Sequence, residues 1–431
     1  MVEDVYSTQN RLLLPVMATI AIESNHNDPL TRREIFLASI VLLVSVLGPF
    51  TLDSYIPSLP WMTQYFGTTP QVMQWTIGVY LFSYSLAQLV FGPFSDRFGR
   101  RPIILWGIGI TLAGSVLCVC ATSVPMLLLG RFIQGIGIAA PNSLAKSIMR
   151  DVFSGVRLAK IGSYTNMIFA IVPAIAPVVG GFVQHYIGWR ANFMVISLLV
   201  LVVGIIIFFA LPETNRHRNP HATKLSVVYG NYMMLAKSRV FIGFTLCTGL
   251  ASTGIIAYAT VSPFLLQTEL GVTSRLFGML STVIAIGFVV GSYLNIRVLR
   301  HHGIHNTMFV GMGLMATSGL VMLLFGLLGK MNVAIIVLPT LTFVIGARFI
   351  FSNAVAAAFT PFPKIAGVAS GFYGTVQMFC TCVGSFFLSG FHPGTQVPFA
   401  AVLLAIGVLS FLVLKYWVMP AESKKTQHLA T

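Results

Sequence analysis

The stretch GPFSDRFGRRP, from Gly92 to Pro102, is a short basic turn between two long apolar runs. Residues 72–94 precede it and residues 102–122 follow it. Each run has the length, about 20 residues, that crosses the hydrocarbon core of a bilayer as a helix. A backbone in lipid must satisfy its own hydrogen bonds, so such runs form helices rather than open strands. The stretch therefore predicts two membrane-spanning helices joined on one face of the membrane.

The same alternation of apolar runs and polar turns continues over nearly the whole chain. Of the 431 residues, 56% are hydrophobic and 9% are charged, and the mean hydropathy is +0.85. This composition excludes a soluble globular domain. We predict an all-α membrane protein with twelve transmembrane helices, at about residues 35–57, 72–94, 102–122, 125–148, 160–186, 191–211, 239–263, 275–299, 304–328, 331–353, 365–390 and 396–418.

The positive charges are distributed unevenly between the two sides of the membrane. A net charge of +15 would suggest a nucleic-acid partner in a soluble protein. Here, most of the 26 lysines and arginines lie in the tails and in alternate loops, whereas the opposite loops hold only Arg190, Arg275 and Lys330. The positive-inside rule then puts the basic loops and both termini in the cytoplasm. The expected partner is the lipid bilayer, with no nucleic acid.

The second half of the chain repeats the first. The segment KIGSYTNMIFAIVPAIAPVVGGF at Lys160 matches KIAGVASGFYGTVQMFCTCVGSF at Lys364 in several positions. Six-helix halves related as parallel repeats, with a substrate site between them, are the architecture of major facilitator transporters. We predict a cytoplasmic N-tail at 1–34, six-helix bundles at 35–211 and 239–418, a cytoplasmic linker at 212–238 and a cytoplasmic C-tail at 419–431. The N-tail has no complete signal peptide, and the sequence leaves a start at Met1 or at Met17 open.

The Gly92–Pro102 stretch resembles the loop motif between the second and third helices of major facilitator transporters. This resemblance implies a cytoplasmic latch that holds the two halves together when the transporter faces outward. We expect Asp96 to receive Arg100 or Arg101, or the positive end of a neighbouring helix. The alternative is a solvated basic turn. The implied latch residues are Gly92, Asp96, Arg97, Gly99, Arg100 and Arg101.

Two further motifs lie inside helices. RFIQGIGIAAPNS, which begins at Arg131, resembles the Arg-x-x-Gln-Gly motif of the fourth helix, which the family associates with proton coupling. The alternative role of Arg131 is structural, through hydrogen bonds to backbone oxygens. PAIAPVVGGF resembles the signature of the antiporter branch in the fifth helix. Its prolines bend that helix and its glycines permit close packing; the four motif residues are Pro173, Pro177, Gly180 and Gly181.

Shorter stretches narrow the resemblance. LDSYIPSLP, MRDVFSG, GWRANF, LPET and YATVSPFLLQ are together similar to the Bcr/CflA subfamily of twelve-helix drug:proton antiporters in bacterial inner membranes. The resemblance implies a multi-pass protein of the bacterial inner membrane that functions as a monomer. It also implies export of small drug-like compounds in exchange for protons. The sequence shows no nucleophile–base set and no metal cluster, so we expect no enzymatic activity, no cofactor and no metal.

Asp53 is the one acidic residue that lies inside a predicted helix. A charged side chain in hydrocarbon is expensive and usually marks a functional site. A proton-coupled carrier needs a group that gains and loses a proton, and Arg131 cannot do so because its pKa is above about 12. We predict that Asp53 and Arg131 form the proton-coupling site. The alternatives are a structural pair or an acid at the outer helix end, since Pro57 follows closely.

The wall of a transport cavity should be apolar with a few polar contacts. On the second helix, Tyr80, Tyr84 and Gln88 recur every four residues. Each candidate is equally suited to hydrogen bonding between helices. The other candidates for the substrate cavity are Asn142, Asn166, Tyr258, Arg348, Tyr373 and Gln377.

Several functions remain open on this fold. Some relatives carry a second acid in the first helix, eight residues before Asp53, where this chain has Ser45. With one coupling acid, we expect neutral or zwitterionic substrates rather than strongly cationic ones. The alternatives are a proton-coupled importer, an exporter of one specific metabolite, and a sensor that does not transport. The antiporter signature argues against an importer, and the intact loop motif argues against a sensor.

Overall fold

The computed structural model describes residues 31–215, 218–362, 366–392 and 394–422. Over this part of the chain the regular structure is entirely helical. Most of the predicted N-tail, including the choice between the two start methionines, lies outside the described residues.

The membrane-spanning helices are numbered α1 to α12 in chain order and follow the predicted segments. The N-terminal half contains α1 (Arg32–Asp53), α2 (Pro70–Phe98), α3 (Arg100–Val119), α4 (Val124–Val152), α5 (Gly155–Tyr186) and α6 (Trp189–Ala210). The C-terminal half contains α7 (Arg239–Pro263), α8 and α9 (together Ser274–Leu327), α10 (Val333–Phe359), α11 (Ala366–Ser389) and α12 (Val397–Leu412). A separate linker helix, Leu225–Lys237, lies between the halves.

The continuous stretch Ser274–Leu327 contains two spans. Its 54 residues would extend about 80 Å at 1.5 Å per residue, far beyond a hydrocarbon core of about 30 Å. The backbone breaks at Gly303, where φ is 71° and ψ is 176°, a conformation that glycine adopts without a steric penalty. Further along, Asn332 caps α10 by accepting the backbone N–H of Ile335 at 2.9 Å. The predicted division into helices at 275–299, 304–328 and 331–353 is therefore correct.

Helix α1 carries Asp53 to the outer part of the membrane. The helix begins at a capping box, in which Thr31 and Glu34 bind each other's backbone N–H groups. Asp53 is its last residue, about 31 Å along the axis from Arg32. The chain then continues outward through a short turn, Ile56–Ser58, and a helix, Leu59–Tyr65.

The two halves meet through two pairs of helices, α2 with α11 and α5 with α8. These helices are the second and fifth of each half, so the internal repeat makes the two contacts equivalent. Small residues bring the helices together: a Cβ atom on Gly78 would lie 2.9 Å from the ring of Phe386, and one on Gly278 would lie 2.6 Å from the carbonyl oxygen of Pro177. Close backbone contact of this kind replaces the hydrophobic driving force that lipid removes.

Candidate transport site

A cavity of about 240 Å³ lies between the two halves, and we refer to it as the inner cavity. Its walls are largely aliphatic and aromatic, with contributions from helices of both halves. A predominantly apolar wall with a few polar groups is typical of sites for small molecules. The polar or charged side chains in the lining are Asp53, Tyr80, Tyr84, Asn142, Ser252, Tyr258, Ser281 and Thr381.

Asp53 is the one carboxylate among the described residues that line the inner cavity. Its side chain is partly exposed. No lysine or arginine in the described part of the chain lies within 4 Å of its carboxylate oxygens. The structural pair of Asp53 and Arg131, one of the alternatives drawn from the sequence, is therefore not formed in this conformation, in which Arg131 has other partners.

Arg131 is completely buried among α1, α2 and α4. Its Nε donates to the carbonyl oxygen of Thr76 at 3.3 Å, and its Nη1 donates to that of Thr51 at 3.2 Å. Nη1 also donates to Oε1 of Gln134, one turn further along α4. The guanidinium lies 4.2 Å from the ring centroids of both Tyr55 and Tyr80. This is the geometry of the structural alternative, with the charge stabilised by carbonyl oxygens and aromatic rings.

The environment of Arg131 is nevertheless linked to Asp53 through the end of α1. The carbonyl that Arg131 binds belongs to Thr51, two residues before Asp53. The hydroxyl of Thr51 lies 2.9 Å from that of Tyr80, which lines the inner cavity beside Asp53. The second terminal nitrogen of Arg131, Nη2, is buried and has no hydrogen-bond partner among the described residues. Arg131 thus fixes the backbone that carries Asp53 and keeps one donor unused.

Three of the predicted cavity residues form a polar group on α2 and α4. The hydroxyl of Tyr84 accepts hydrogen bonds from Nε2 of Gln88 at 3.1 Å and from Nδ2 of Asn142 at 3.0 Å. A Cβ atom on Gly48 of α1 would lie only 1.8 Å from this Asn142 nitrogen, so the glycine leaves the space that the amide needs. The group lies at the cytoplasmic end of the inner cavity.

Most of the remaining predicted residues line the inner cavity or the vestibule described next, but not all of them do. Tyr258 lines the inner cavity, and Gln377 donates to the hydroxyl of Ser252 at 2.6 Å. Tyr373 lines neither this cavity nor the vestibule described next; it packs against the rings of Phe241 and Phe359. Asn166 belongs to α5, but its side chain lies outside the described part of the structure.

A second cavity of about 300 Å³ adjoins the first on the cytoplasmic side, and we refer to it as the basic vestibule. It shares Tyr84, Asn142, Phe288 and Met378 with the inner cavity. Its polar lining consists of Tyr84, Gln88, Asn142, Ser143, Lys146, Ser147, Arg150, Arg348, Ser370 and Gln377. Lys146 and Arg150 were not among the predicted residues. Their spacing gave a usable signal, because Asn142, Lys146 and Arg150 recur every four residues on one face of α4.

The glycines of the α5 motif close the outer end of the inner cavity. A Cβ atom on Gly180 would lie 1.6 Å from the carbonyl oxygen of Ser54, next to Asp53, and one on Gly181 would lie 2.4 Å from that of Ser274 on α8. Pro173 and Pro177 line the inner cavity itself. Through these two neighbouring glycines, α5 therefore packs against its own half and against the other half at the same depth along the helix.

Hydrogen bonds between the halves reinforce this outer closure. The indole nitrogen of Trp61 donates to the hydroxyl of Ser274 at 3.2 Å, and that hydroxyl donates to Oε1 of Gln267 at 2.8 Å. The amide nitrogen of Gln267 donates in turn to the carbonyl oxygen of Pro57 at 3.0 Å. The outer end is thus closed while the basic vestibule lies towards the cytoplasm.

The predicted latch residues form a compact network at the cytoplasmic end. Arg100 makes ion pairs with Asp96 at 2.6 Å and with Asp151 at 3.0 Å. Glu213 accepts the backbone N–H groups of Arg100 at 2.9 Å and Arg101 at 3.3 Å, and so caps α3. Gly99 suits this position because its φ is +107° and a Cβ atom would lie 2.3 Å from the Glu213 carboxylate.

The partners of the latch belong to the N-terminal half and to the linker. Arg97 donates to the hydroxyl of Thr223 at 2.7 Å, and Arg101 donates to the carbonyl oxygen of Phe208 at 2.5 Å. Apart from its chain neighbours and the backbone of its own helix, no described atom lies within 4 Å of the point that a Cβ on Gly92 would occupy. There is therefore free space beside Gly92 in the conformation that faces the cytoplasm.

Twelve spanning helices in two equivalent halves, with a cavity between them that is closed at one end, define a secondary membrane transporter. The sequence model of the Major Facilitator Superfamily matches residues 41–385, and the chain belongs to this family. It is therefore a transporter and not an enzyme.

Comparison with individual proteins agrees with this assignment and with the resemblance to the Bcr/CflA subfamily. The chain is 29% identical over 396 residues to the Bicyclomycin resistance protein homolog of Haemophilus influenzae, covering 91% of this chain and 98% of that protein. It is 29% identical to Multidrug resistance protein D of Escherichia coli, with 80% and 86% covered. It is 28% identical to a Chloramphenicol resistance protein of Pseudomonas aeruginosa, with 78% and 80% covered.

Among solved structures, the crystal structure of a D-xylose-proton symporter superimposes with a TM-score of 0.72, and the match covers 89% of this chain and 97% of the symporter. The sequence identity is 15%. At that level the likeness shows the shared fold.

Proposed function

We propose that this protein exports small drug-like compounds, neutral or zwitterionic, across the bacterial inner membrane in exchange for protons. The observation that carries the proposal is Asp53, a carboxylate with no ion-pair partner among the described residues, which lies in an apolar cavity between two halves. An acid in an apolar cavity without an ion-pair partner is free to bind and release a proton. The names of the relatives, which include bicyclomycin and chloramphenicol resistance proteins, support a drug-like substrate.

The transport cycle begins in the conformation of the structure. Substrate enters through the basic vestibule and binds in the inner cavity beside ionised Asp53. When the halves reorient, a proton from the periplasm binds Asp53 and substrate leaves. The protonated carrier then returns and releases the proton to the cytoplasm. Because one site alternately holds substrate or proton, the two move in opposite directions.

Arg131 acts in this proposal as a positioning residue. Its hydrogen bond to Thr51 fixes the last turn of α1, and the turn presents Asp53 to the cavity. Its unused Nη2 donor supplies a contact for the Asp53 carboxylate when α1 shifts during reorientation. The Gly92–Pro102 latch closes the cytoplasmic end in the outward-facing state, and the free space beside Gly92 accommodates the approaching helix. The protein works as a monomer, because each chain contains both halves of the site.

Proteoliposomes that contain the purified protein and an internal pH dye test the proposal. Chloramphenicol and bicyclomycin, chosen from the names of the relatives, serve as trial compounds. With an imposed pH gradient, either compound should be transported against the direction of proton flow, and its addition should discharge the gradient. Compound and protons moving in the same direction would favour the importer. Uphill transport that leaves the pH gradient unchanged would refute proton antiport.

A further inference from the structure

The basic vestibule contains three cations that arise from both halves of the protein. Lys146 and Arg150 extend from α4, and Arg348 extends from the middle of α10. No carboxylate occurs among the described residues that line it. Walls of low dielectric constant concentrate the field of like charges in a cleft and raise the local concentration of the opposite charge.

None of the three cations forms an ion pair with an acid among the described residues. In the described part of the chain, no carboxylate oxygen lies within 4 Å of any of them. Asp151 is adjacent to Arg150 in the sequence, but its carboxylate binds Arg100 at 3.0 Å. Arg348 donates through Nε to the hydroxyl of Ser292 at 3.1 Å and lies 5.8 Å from the ring centroid of Phe288, so neither partner carries a negative charge.

The positive-inside rule explains only part of this arrangement. It accounts for the sign of Lys146 and Arg150 at the cytoplasmic end of α4. It does not account for Arg348, which lies within an apolar helix and contacts the vestibule. Gly291 of α8 leaves room for a side chain at this position, since a Cβ atom on Gly291 would lie 2.9 Å from the Arg348 Cβ.

The vestibule opens into the inner cavity through the residues that the two share. An elongated molecule therefore reaches both, with a charged group among the cations and an apolar body beside Ile256 and Phe277. We propose that the basic vestibule binds the anionic group, a carboxylate or a similar oxyanion, of an amphipathic substrate. The proposal rests on the proposed function for the claim that the bound compound is exported. Relative to the proposed neutral or zwitterionic compounds, it favours the zwitterions and adds amphipathic anions.

Equilibrium binding of two matched fluorescent probes tests the inference. Dansylglycine carries a carboxylate, and dansylamide has the same apolar body without one. Binding is measured by fluorescence on the purified full-length protein in phosphatidylcholine nanodiscs at low salt, without a pH gradient. We expect dansylglycine to bind at least about tenfold more tightly, and the preference to fall as salt is raised.

The variant that removes all three charges, Lys146→Gln/Arg150→Gln/Arg348→Gln, should bind the two probes equally. The matched control Arg297→Gln removes an exposed cation that does not line the vestibule and should keep the full preference. Arg348→Lys, which retains the charge, should keep most of it. If the triple variant does not fold, each single Gln variant should lower the preference about twofold, since three such factors make the tenfold total.

Equal binding of the two probes to the wild-type protein, or no binding of either, would overturn the inference. A preference that survives in the triple variant would also overturn it. A preference lost when phosphatidylglycerol replaces part of the lipid would identify a lipid headgroup as the occupant and overturn the assignment to a substrate. The probe assay measures binding without a pH gradient, and the proteoliposome assay measures proton exchange, so a failure of proton antiport and a failure of this inference give different results.

Discussion

Replacing Arg131 with lysine keeps the charge but removes the planar group that joins three helices. An ammonium cannot reproduce the donors to Thr51, Thr76 and Gln134 together. Loss of two hydrogen bonds, at about 0.6 to 1.7 kcal/mol each in a membrane, weakens the N-terminal half by about 1–3 kcal/mol. Weaker contact with the rings of Tyr55 and Tyr80 adds about 1 kcal/mol. The total is about 2–4 kcal/mol.

Thermal unfolding of the purified variant in detergent measures this effect. At about 2 °C per kcal/mol, the scale for long chains, the midpoint should fall by about 4–8 °C. The control is Arg348→Lys, which loses the hydrogen bond to Ser292 and keeps a cation near the ring of Phe288; at about 0.6 to 1.7 kcal/mol, this loss should shift the midpoint by about 1–3 °C. An unchanged midpoint in Arg131→Lys, with export abolished, would refute the positioning role and indicate that Arg131 acts directly in proton transfer.

Three further predictions concern the carboxylate and the two ends of the cavity. Asp53→Asn should abolish proton-driven export. It should leave the unfolding midpoint within about 2 °C of wild type, because the carboxylate makes no ion pair among the described residues. Proteoliposome transport and thermal unfolding measure the two effects, and continued uphill export would exclude Asp53 as the coupling site. Gly92→Val should slow export at least about tenfold by blocking cytoplasmic closure, whereas Gly109→Val, at another glycine with open space around its Cβ position, should leave the export rate unchanged; equal rates in the two variants would contradict the latch. Gly181→Val should open the outer end of the inner cavity, because the valine side chain would overlap the carbonyl oxygen of Ser274. A cysteine introduced at Ser281, in a protein without other cysteines, should then react faster with an impermeant maleimide added from outside. An unchanged reaction rate would count against closure of the outer end by Gly181.

The twelve helices were predictable because each obeys a local rule. Length and apolar composition identify a span without knowledge of its neighbours, and the basic turns fix its direction. The break at Gly303 also follows from a short polar stretch, RHHGIHN, between two apolar runs. The equivalence of the α2–α11 and α5–α8 contacts follows from the internal repeat.

The site was less predictable because it depends on which side chains meet. The sequence assigned Asp53 and Arg131 to one proton-coupling site and left a structural pair between them as an alternative. Backbone carbonyls of Thr51 and Thr76 were the actual partners, and carbonyls are present at every position of every helix. Tyr373 and Tyr84 look alike in the sequence, since each is a tyrosine in an apolar helix, but Tyr373 points to the interior of its own half. Only helix rotation distinguishes the two.

The positive charge of the vestibule and the presence of one coupling acid both bear on which substrate charges the proton gradient can drive outward. A pH unit supplies about 1.4 kcal/mol per proton, and 100 mV supplies about 2.3 kcal/mol per charge moved. Exchange of one proton for a zwitterion moves one charge inward, and about 2.7 kcal/mol already sustains a hundredfold gradient. Exchange for a monoanion moves the equivalent of two charges inward, so the potential contributes twice.

A cation behaves in the opposite way. A dication that leaves while one proton enters moves net positive charge outward against the potential, and the basic vestibule repels it on the way to the cavity. A carrier of dications would need a second acid to import a second proton, and the position eight residues before Asp53 is Ser45, whose hydroxyl binds the carbonyl oxygen of Val41 at 2.8 Å. One acid in the inner cavity and three cations in the vestibule therefore disfavour the same substrates, strongly cationic compounds, by independent physical routes.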